Sequence, residues 1–208
     1  DIILSPNKKY MESLISGKSW NNLGKIILYA PTHRREGLGG EKLFNSLDFN
    51  QFNDFLGNNY ATLLIKMHYH HEMNDIPWDS LSNIKFLEEN DLQDINYILP
   101  FVDVLISDYS GVIFDFLILN KPIIFAPFDL LEYIKIDREL YEEYGNTIRG
   151  IKCFNWQDVQ SQLKQIFLGE DQSMDARLEM FQRFFRFSDM NNCKRIIDTV
   201  TQRLKPFS

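Results

Sequence analysis

Short apolar runs alternate along this chain with amphipathic stretches, and polar or glycine-bearing loops separate them. Residues 25–30, 61–67, 83–87, 102–106 and 123–126 are mostly apolar. They are too short for helices and lack the alternation of a half-wet strand, so they predict strands buried on both faces. Between them, residues 44–56 place Phe44, Leu47, Phe52, Phe55 and Leu56 on one helical face. Residues 94–100 predict a brief helix stopped by Pro100, and residues 112–119 a helix stopped by Pro122. Residues 130–144 read as a loop-helix region and 148–154 as a last edge strand. Helices are predicted over 8–16, 156–167 (with Asn155 as cap), 175–187 and 192–204. Strands alternating with helices build βαβ units and a parallel sheet. The expected fold class is α/β: a Rossmann-like, doubly wound parallel sheet over 25–190, after an entry segment or linker, 1–24, and before a C-terminal helical tail, 191–208.

The stretch from Val102 to Ala126 organises this arrangement. A buried strand ends at Ser107-Asp108, the turn Asp108-Tyr109-Ser110-Gly111 follows, and a helix starts at Val112 with Ser110 as its N-cap. A small polar turn at the carboxyl end of a strand offers backbone N–H groups and a helix N-terminus, which suit an anion. Ligands of open parallel sheets bind in the crevice outside those strand ends. A phosphate or diphosphate site at Ser110-Gly111 is therefore expected. Two more strand ends are polar: Thr32-His33-Arg34, in a loop bearing Gly37, Gly39 and Gly40, and His68. If the strands are parallel, all three clusters open onto one crevice.

Each candidate carries a functional and a plain reading. The His68 imidazole beside a diphosphate would hold the leaving group and neutralise its growing charge; it reads equally as a strand-end cap. Arg34 and Arg35 would fork onto a phosphate or lie in a solvated loop. Ser110 would cap its helix, contact the anion, or do both. Asp108 would accept from a hydroxyl or orient the turn, the structural role being favoured. Asp115 and Lys121 read as ordinary helix residues. His70 and His71 are adjacent, point apart and lack acidic companions, so no metal is expected, and no cofactor. The basic, aromatic segment 177–187 suits a membrane surface, a missing partner domain or its own core, the last being favoured.

At 208 residues the chain suffices for one sizeable α/β domain or at most two small ones, and its 44% hydrophobic and 14% aromatic content fills a core. A net charge of −7 argues against a nucleic-acid binder but leaves room for a local basic pocket. Cys153 and Cys193 have no metal or redox spacing, and neither a membrane span nor a signal peptide is visible. A cytoplasmic location is expected, with peripheral contact on the inner face of the cell membrane as an addition. A start at Asp-Ile-Ile-Leu rather than Met reads as a piece of a longer chain.

Four motifs, in order, carry a resemblance: Tyr29-Ala-Pro-Thr-His-Arg34, Ile65-Lys-Met-His68, Asp103-Val-Leu-Ile-Ser-Asp-Tyr-Ser-Gly-Val-Ile-Phe-Asp115 and Leu119-Asn-Lys-Pro-Ile-Ile-Phe125. They resemble the CDP-glycerol glycerophosphotransferase family, which makes teichoic-acid and related capsule polymers with a two-domain GT-B fold. The likeness covers residues 25–135 and runs more loosely to the end. It implies that this chain is the C-terminal, nucleotide-binding half of such an enzyme, with His68 as the functional histidine of a Lys-x-His motif. It also implies that Ser110 and Gly111 lie at the phosphate turn and that Thr32 and Arg34 close a Pro-Thr-x-Arg motif. Asp108 stands beside them in the substrate site. Arg138 matches the arginine of a later Arg-Gly pair, and Asp189 an Asp-Gly motif near the nucleotide.

Some positions depart from the family pattern. Gly111 stands where a second serine is usual, Glu139 and Met190 replace glycines, and Gly145-Asn146 stands in for a Pro-Gly-Pro turn. The implied reaction is transfer of a polyol phosphate, glycerol phosphate first, from a CDP-polyol donor to a hydroxyl of a polymer or lipid-linked acceptor. It implies a missing N-terminal domain or partner chain that activates that hydroxyl. The alternatives are a UDP-sugar epimerase or glycosyltransferase of GT-B type, and a non-catalytic nucleotide-binding or interaction domain.

Overall fold

The structure, a computed structural model, describes residues 3–4, 6–9, 11, 22–34, 43–44, 46–67, 78–87, 92, 94–137, 139–189 and 191–204. Five strands form one sheet: β1 Lys25–Tyr29, β2 Ala61–Ile65, β3 Ile84–Phe86, β4 Val104–Ser107 and β5 Ile123–Phe125. Every pairing is parallel and the order is β3-β2-β1-β4-β5. Among the described residues, beside residues 8, 9 and 11, which are also helical, the helices are α1 Phe49–Asn58, α2 Val112–Leu117, α3 Leu130–Ile136, α4 Tyr144–Thr147, α5 Trp156–Phe167, α6 Met174–Phe184 and α7 Asn192–Arg203.

The strands are mostly apolar because both faces of the sheet are covered. Leu28, Leu64, Leu105, Ile123 and Phe125 point to one side, where Ile113, Phe116 and Leu117 of α2 and Met180 of α6 close the layer. Their neighbours Ile27, Tyr29, Leu63, Ile65, Val104, Ile106 and Ile124 point to the other, against Phe52 and Leu56 of α1 and Trp156, Val159 and Leu163 of α5. Trp156 anchors that second layer, donating from Nε1 to the Leu43 carbonyl at 2.9 Å and meeting Tyr29 edge-on at 5.1 Å.

Some boundaries differ from the sequence pattern, each for a local reason. The helix expected from residue 44 begins at Phe49, because the Asp48 side chain accepts from Gln51 N at 3.0 Å and caps it there; Phe44 is buried in a separate turn. Residues 94–100 form two short 3-10 turns, Ile95–Tyr97 capped by Asp94 and Leu99–Phe101 containing Pro100. The expected edge strand at 148–154 reduces to a single bridge, Phe125 to Lys152; Gly150, at φ +125°, interrupts the extended run. The Asn155 cap forms as expected, its Oδ1 accepting from Asp158 N at 2.8 Å. Segment 177–187 packs inward only in part: Arg177 and Met180 are buried, whereas Phe184, which meets Phe114 edge-on at 4.8 Å, and Phe187 stay exposed.

The order places the topological reversal between β1, which continues outward to β2 and β3, and β4, which continues to β5. That is the point where the two connecting loops diverge and leave a crevice. The loops that leave it carry Thr32 to Arg34 on one side and Asp108 to Gly111 on the other.

Candidate functional site

A single buried carboxylate joins the two loops. Ser107, at the end of β4, donates from Oγ to the Ala30 carbonyl at 2.6 Å and fixes the strand ends together. Asp108, 1% exposed, then accepts from Thr32 N at 2.9 Å, Thr32 Oγ1 at 2.7 Å, Tyr109 N at 2.6 Å and Arg34 Nη2 at 2.7 Å. Its backbone carbonyl accepts from the Tyr144 hydroxyl at 2.8 Å. The structural reading of Asp108 is the one this geometry supports.

Arg34 departs from both readings of its loop. It is neither solvated nor reaching outward: its side chain is 3% exposed and lies between two carboxylates. Nε and Nη2 grip Asp129 at 2.7 and 2.8 Å, Nη2 also meets Asp108 and the Tyr109 hydroxyl, and Nη1 donates to the Thr32 carbonyl. The rings of Tyr109 and Tyr133 lie 4.8 and 4.9 Å from the guanidinium carbon. One positive and two negative charges leave the cluster with a net negative charge, so Arg34 has little field left for a phosphate. Its fork acts on Asp129, which ties the start of α3 to the crevice.

This packing sets the titration of the group. Burial pushes the Asp129 carboxyl up, but hydrogen bonds from Arg34 and Tyr109 outweigh it and hold the carboxyl below its ordinary value. Burial, the Asp108 charge and the hydrogen bond to Asp129 push the Tyr109 phenol far above its ordinary value, so it stays a donor to Asp129.

Above this clamp sits the turn. Ser110 is half-buried and Gly111 exposed, and among the described residues nothing accepts from the N–H of either. The assigned cap position is Gly111, one residue later than expected; Ser110 Oγ still lies 3.4 Å from Val112 N. α2 has only six residues, so its dipole is small and the turn's own N–H groups carry the anion argument. A Cβ placed on Gly111, whose φ is −58°, would meet none of the described residues within 4 Å, so nothing described crowds the turn at this point.

His68 and Arg138 lie outside the described residues, as do His70 and His71. β2 ends at Ile65, three positions before His68 and parallel to β1, so that strand also points at the crevice. Asp189 is half-exposed and pairs with Arg195 at 2.6 Å; its described contacts stay within residues 189–195, at the start of α7. Among the described residues no group of three or more His, Cys, Asp or Glu side chains is placed to hold a metal ion. The sequence reading missed Asp129, Tyr109, Tyr133 and Tyr144. For Asp129 a signal existed: it follows the apolar run 123–126 as a polar strand end, like the three clusters that were singled out.

Over residues 7–202 the sequence matches the family described as CDP-Glycerol:Poly(glycerophosphate) glycerophosphotransferase. This chain belongs to that family. It is 30% identical over 174 residues to the teichoic acid ribitol-phosphate polymerase TarL of Staphylococcus aureus, covering 83% of this chain and 30% of that protein. To the teichoic acid glycerol-phosphate transferase of the same organism it is 30% identical over 179 residues, covering 85% of this chain and 45% of that protein. Among solved structures it resembles the wall teichoic acid polymerase TagF, in a variant soaked with CDPG. There the TM-score is 0.70 and the identity 23%, over 97% of this chain and 50% of that one. At that identity the likeness shows the fold. This glycerophosphotransferase-family chain spans less than half the length of those two curated relatives. No helix among its described residues is long and apolar enough to cross a membrane.

Proposed function

We propose that this chain supplies the CDP-donor site of a polyol-phosphate transferase. A CDP-activated polyol phosphate, glycerol phosphate in the first instance, sits in the crevice with its diphosphate over Ser110 and Gly111. An acceptor hydroxyl, on a cell-surface polymer or its lipid-linked precursor, attacks the β-phosphorus. The new O–P bond forms as the bond to CMP breaks, and the acceptor proton passes to a base outside this chain. The observation that carries the reading is the turn at the sheet's reversal point, whose two N–H groups have no acceptor among the described residues, with a buried clamp beneath it. Such preorganised donors stabilise charge as it develops on a leaving phosphate.

Within this reading Asp108, Thr32 and Arg34 are positioning residues, because their polar atoms are engaged with one another. Ser110 and Gly111 touch the donor. His68, Arg138 and Asp189 are assigned to the site through the motif resemblance, His68 acting on the leaving phosphate. The acceptor is held by a further domain or a partner chain.

Transfer from CDP-glycerol and from CDP-ribitol by the full-length protein tests both the reaction and its donor. A His68→Ala variant is expected to lose about a hundredfold or more in transfer rate with its thermal unfolding unchanged. Unaltered turnover would remove His68 from the mechanism, and a preference for CDP-ribitol would replace glycerol as the transferred polyol.

A further inference from the structure

The negative charge of a bound diphosphate needs a partner that the buried clamp does not supply. A diphosphate over Ser110 and Gly111 sits above one guanidinium and two carboxylates, in a chain of net charge −7. The N–H groups of the turn are dipoles and leave that charge uncancelled. The chemistry therefore calls for a full positive charge within reach of the turn.

The sheet register locates one. Tyr29 pairs with both Ile65 and Ile106. One residue further along, Lys66, Ala30 and Ser107 stand side by side, and Lys66 N donates to the Tyr29 carbonyl at 2.9 Å. Side chains alternate along a strand, so Lys66 faces the same side as Leu64, toward the layer that α2 closes. Ser107 stands two strand spacings away, about 10 Å, and the chain enters the Ser110-Gly111 turn three positions later. Lys66 is half-buried. Among the described residues its ammonium has no carboxylate partner and one long contact, the Met67 carbonyl at 3.5 Å. An ammonium carries three donors, so donors are left for an anion.

Other described cations are engaged or misplaced. Arg34 is neutralised twice by Asp108 and Asp129. Lys25 and Lys121 lie at the amino edge of the sheet, and Lys121 is bonded to the Pro100 and Val102 carbonyls. Arg177 pairs with Asp171 and Arg183 with Glu142. Lys152 ends the same row beyond β5, beside Phe125. It donates to the Gly150 carbonyl at 3.3 Å and lies 6.0 Å from the Tyr144 ring centre, which makes it the runner-up.

We propose that Lys66 is the charged ligand of the donor diphosphate, filling the place that the Arg34 fork was expected to take. Its ammonium meets non-bridging oxygens from the β2 side, while the N–H groups of Ser110 and Gly111 meet them from the β4 side. As the bond to CMP breaks, negative charge grows on the CMP phosphate, and an ammonium already in place stabilises it. This rests on the donor-site reading and names the residue that gives that site its charge.

Calorimetric titration of the chain with CDP at low and raised salt, beside Lys66→Gln, Lys66→Arg and Lys152→Gln, tests it. Lys66→Gln is expected to weaken CDP binding about tenfold or more and to flatten its dependence on salt. Its thermal unfolding stays unchanged, because no described ion pair is broken. Lys66→Arg recovers part of the affinity, and Lys152→Gln binds as the parent chain does. Equal CDP affinity of the parent chain and Lys66→Gln overturns the proposal alone, and so does a loss confined to Lys152→Gln. A folded parent chain that binds no CDP overturns the donor-site reading itself, and this assignment with it.

Discussion

Replacing Asp108 with alanine is expected to destabilise the fold by about 3–5 kcal/mol, the range for removing one partner of a buried ion pair. Among the described residues Asp108 is the sole acceptor for Thr32 N, Thr32 Oγ1 and Tyr109 N, and it holds one side of the Arg34 guanidinium. At 1% exposure water does not replace it. A domain of this size has a total stability of roughly 5–15 kcal/mol, so the variant folds at low temperature with a much reduced melting temperature. Under those conditions the Ser110-Gly111 turn has lost its anchor, and CDP binding weakens more than tenfold. Asp108→Asn keeps the shape and one acceptor oxygen but turns an amide N–H₂ toward Arg34, and its effect falls between. Denaturant unfolding measures the first quantity and calorimetry the second. A melting temperature close to that of the parent chain would mean that the loops are held together by something other than this carboxylate.

Arg34→Lys is expected to cost about 3 kcal/mol although it conserves charge. The guanidinium bridges Asp129, Asp108, Tyr109 and the Thr32 carbonyl with donors pointing in different directions. A lysine ammonium presents three donors from one point and leaves Asp129 with at most one strong bond. The substitution also changes the response to acid. In the parent chain the folded carboxyl of Asp129 is held below its ordinary value. Its contribution to stability is therefore present above the unfolded value of about 3.9 and is lost as pH falls through the lower folded value. Without the fork, burial of Asp129 is less opposed and its folded pKa rises, so the acid limb of the stability curve moves to higher pH. Urea unfolding at a series of acidic pH values reads this shift. Superimposable acid limbs for the two proteins would contradict the assigned role of the Arg34–Asp129 pair.

Much of the fold was legible because each strand is a short run buried on both faces, and a pattern that uniform leaves few alternatives. The strand cores were found with ends off by one or two residues, and Asn155 announced the start of α5. The start of α1 was not readable: Phe44 continues the helical periodicity, yet its ring packs beside Trp156 from a separate turn, and Asp48 decides where the helix begins. The edge strand at 148–154 failed for a similarly local reason at Gly150.

The site divides in the same way. The turn at Ser110-Gly111 and the polar end of β1 follow from strand ends alone, as does their meeting at the sheet's reversal point; His68, after β2, lies outside the described residues. The Arg34–Asp129 pair spans 95 positions and leaves no periodicity or spacing in the sequence. An arginine in a polar loop therefore read as exposed or ligand-facing, when three-dimensional packing had neutralised it twice. The stretch 192–204 was legible as a helix, but only the fold showed that it buries none of its residues.

The central claim is that this chain holds a CDP-donor site at the carboxyl ends of β1 and β4. Calorimetric titration of the chain with CDP, CMP and UDP, beside a Ser110→Ala variant, tests it most directly. The account predicts that CDP binds more tightly than UDP and that the variant binds CDP more weakly while its unfolding is unchanged. A folded chain that binds none of the three, or that binds UDP as tightly as CDP, would contradict it.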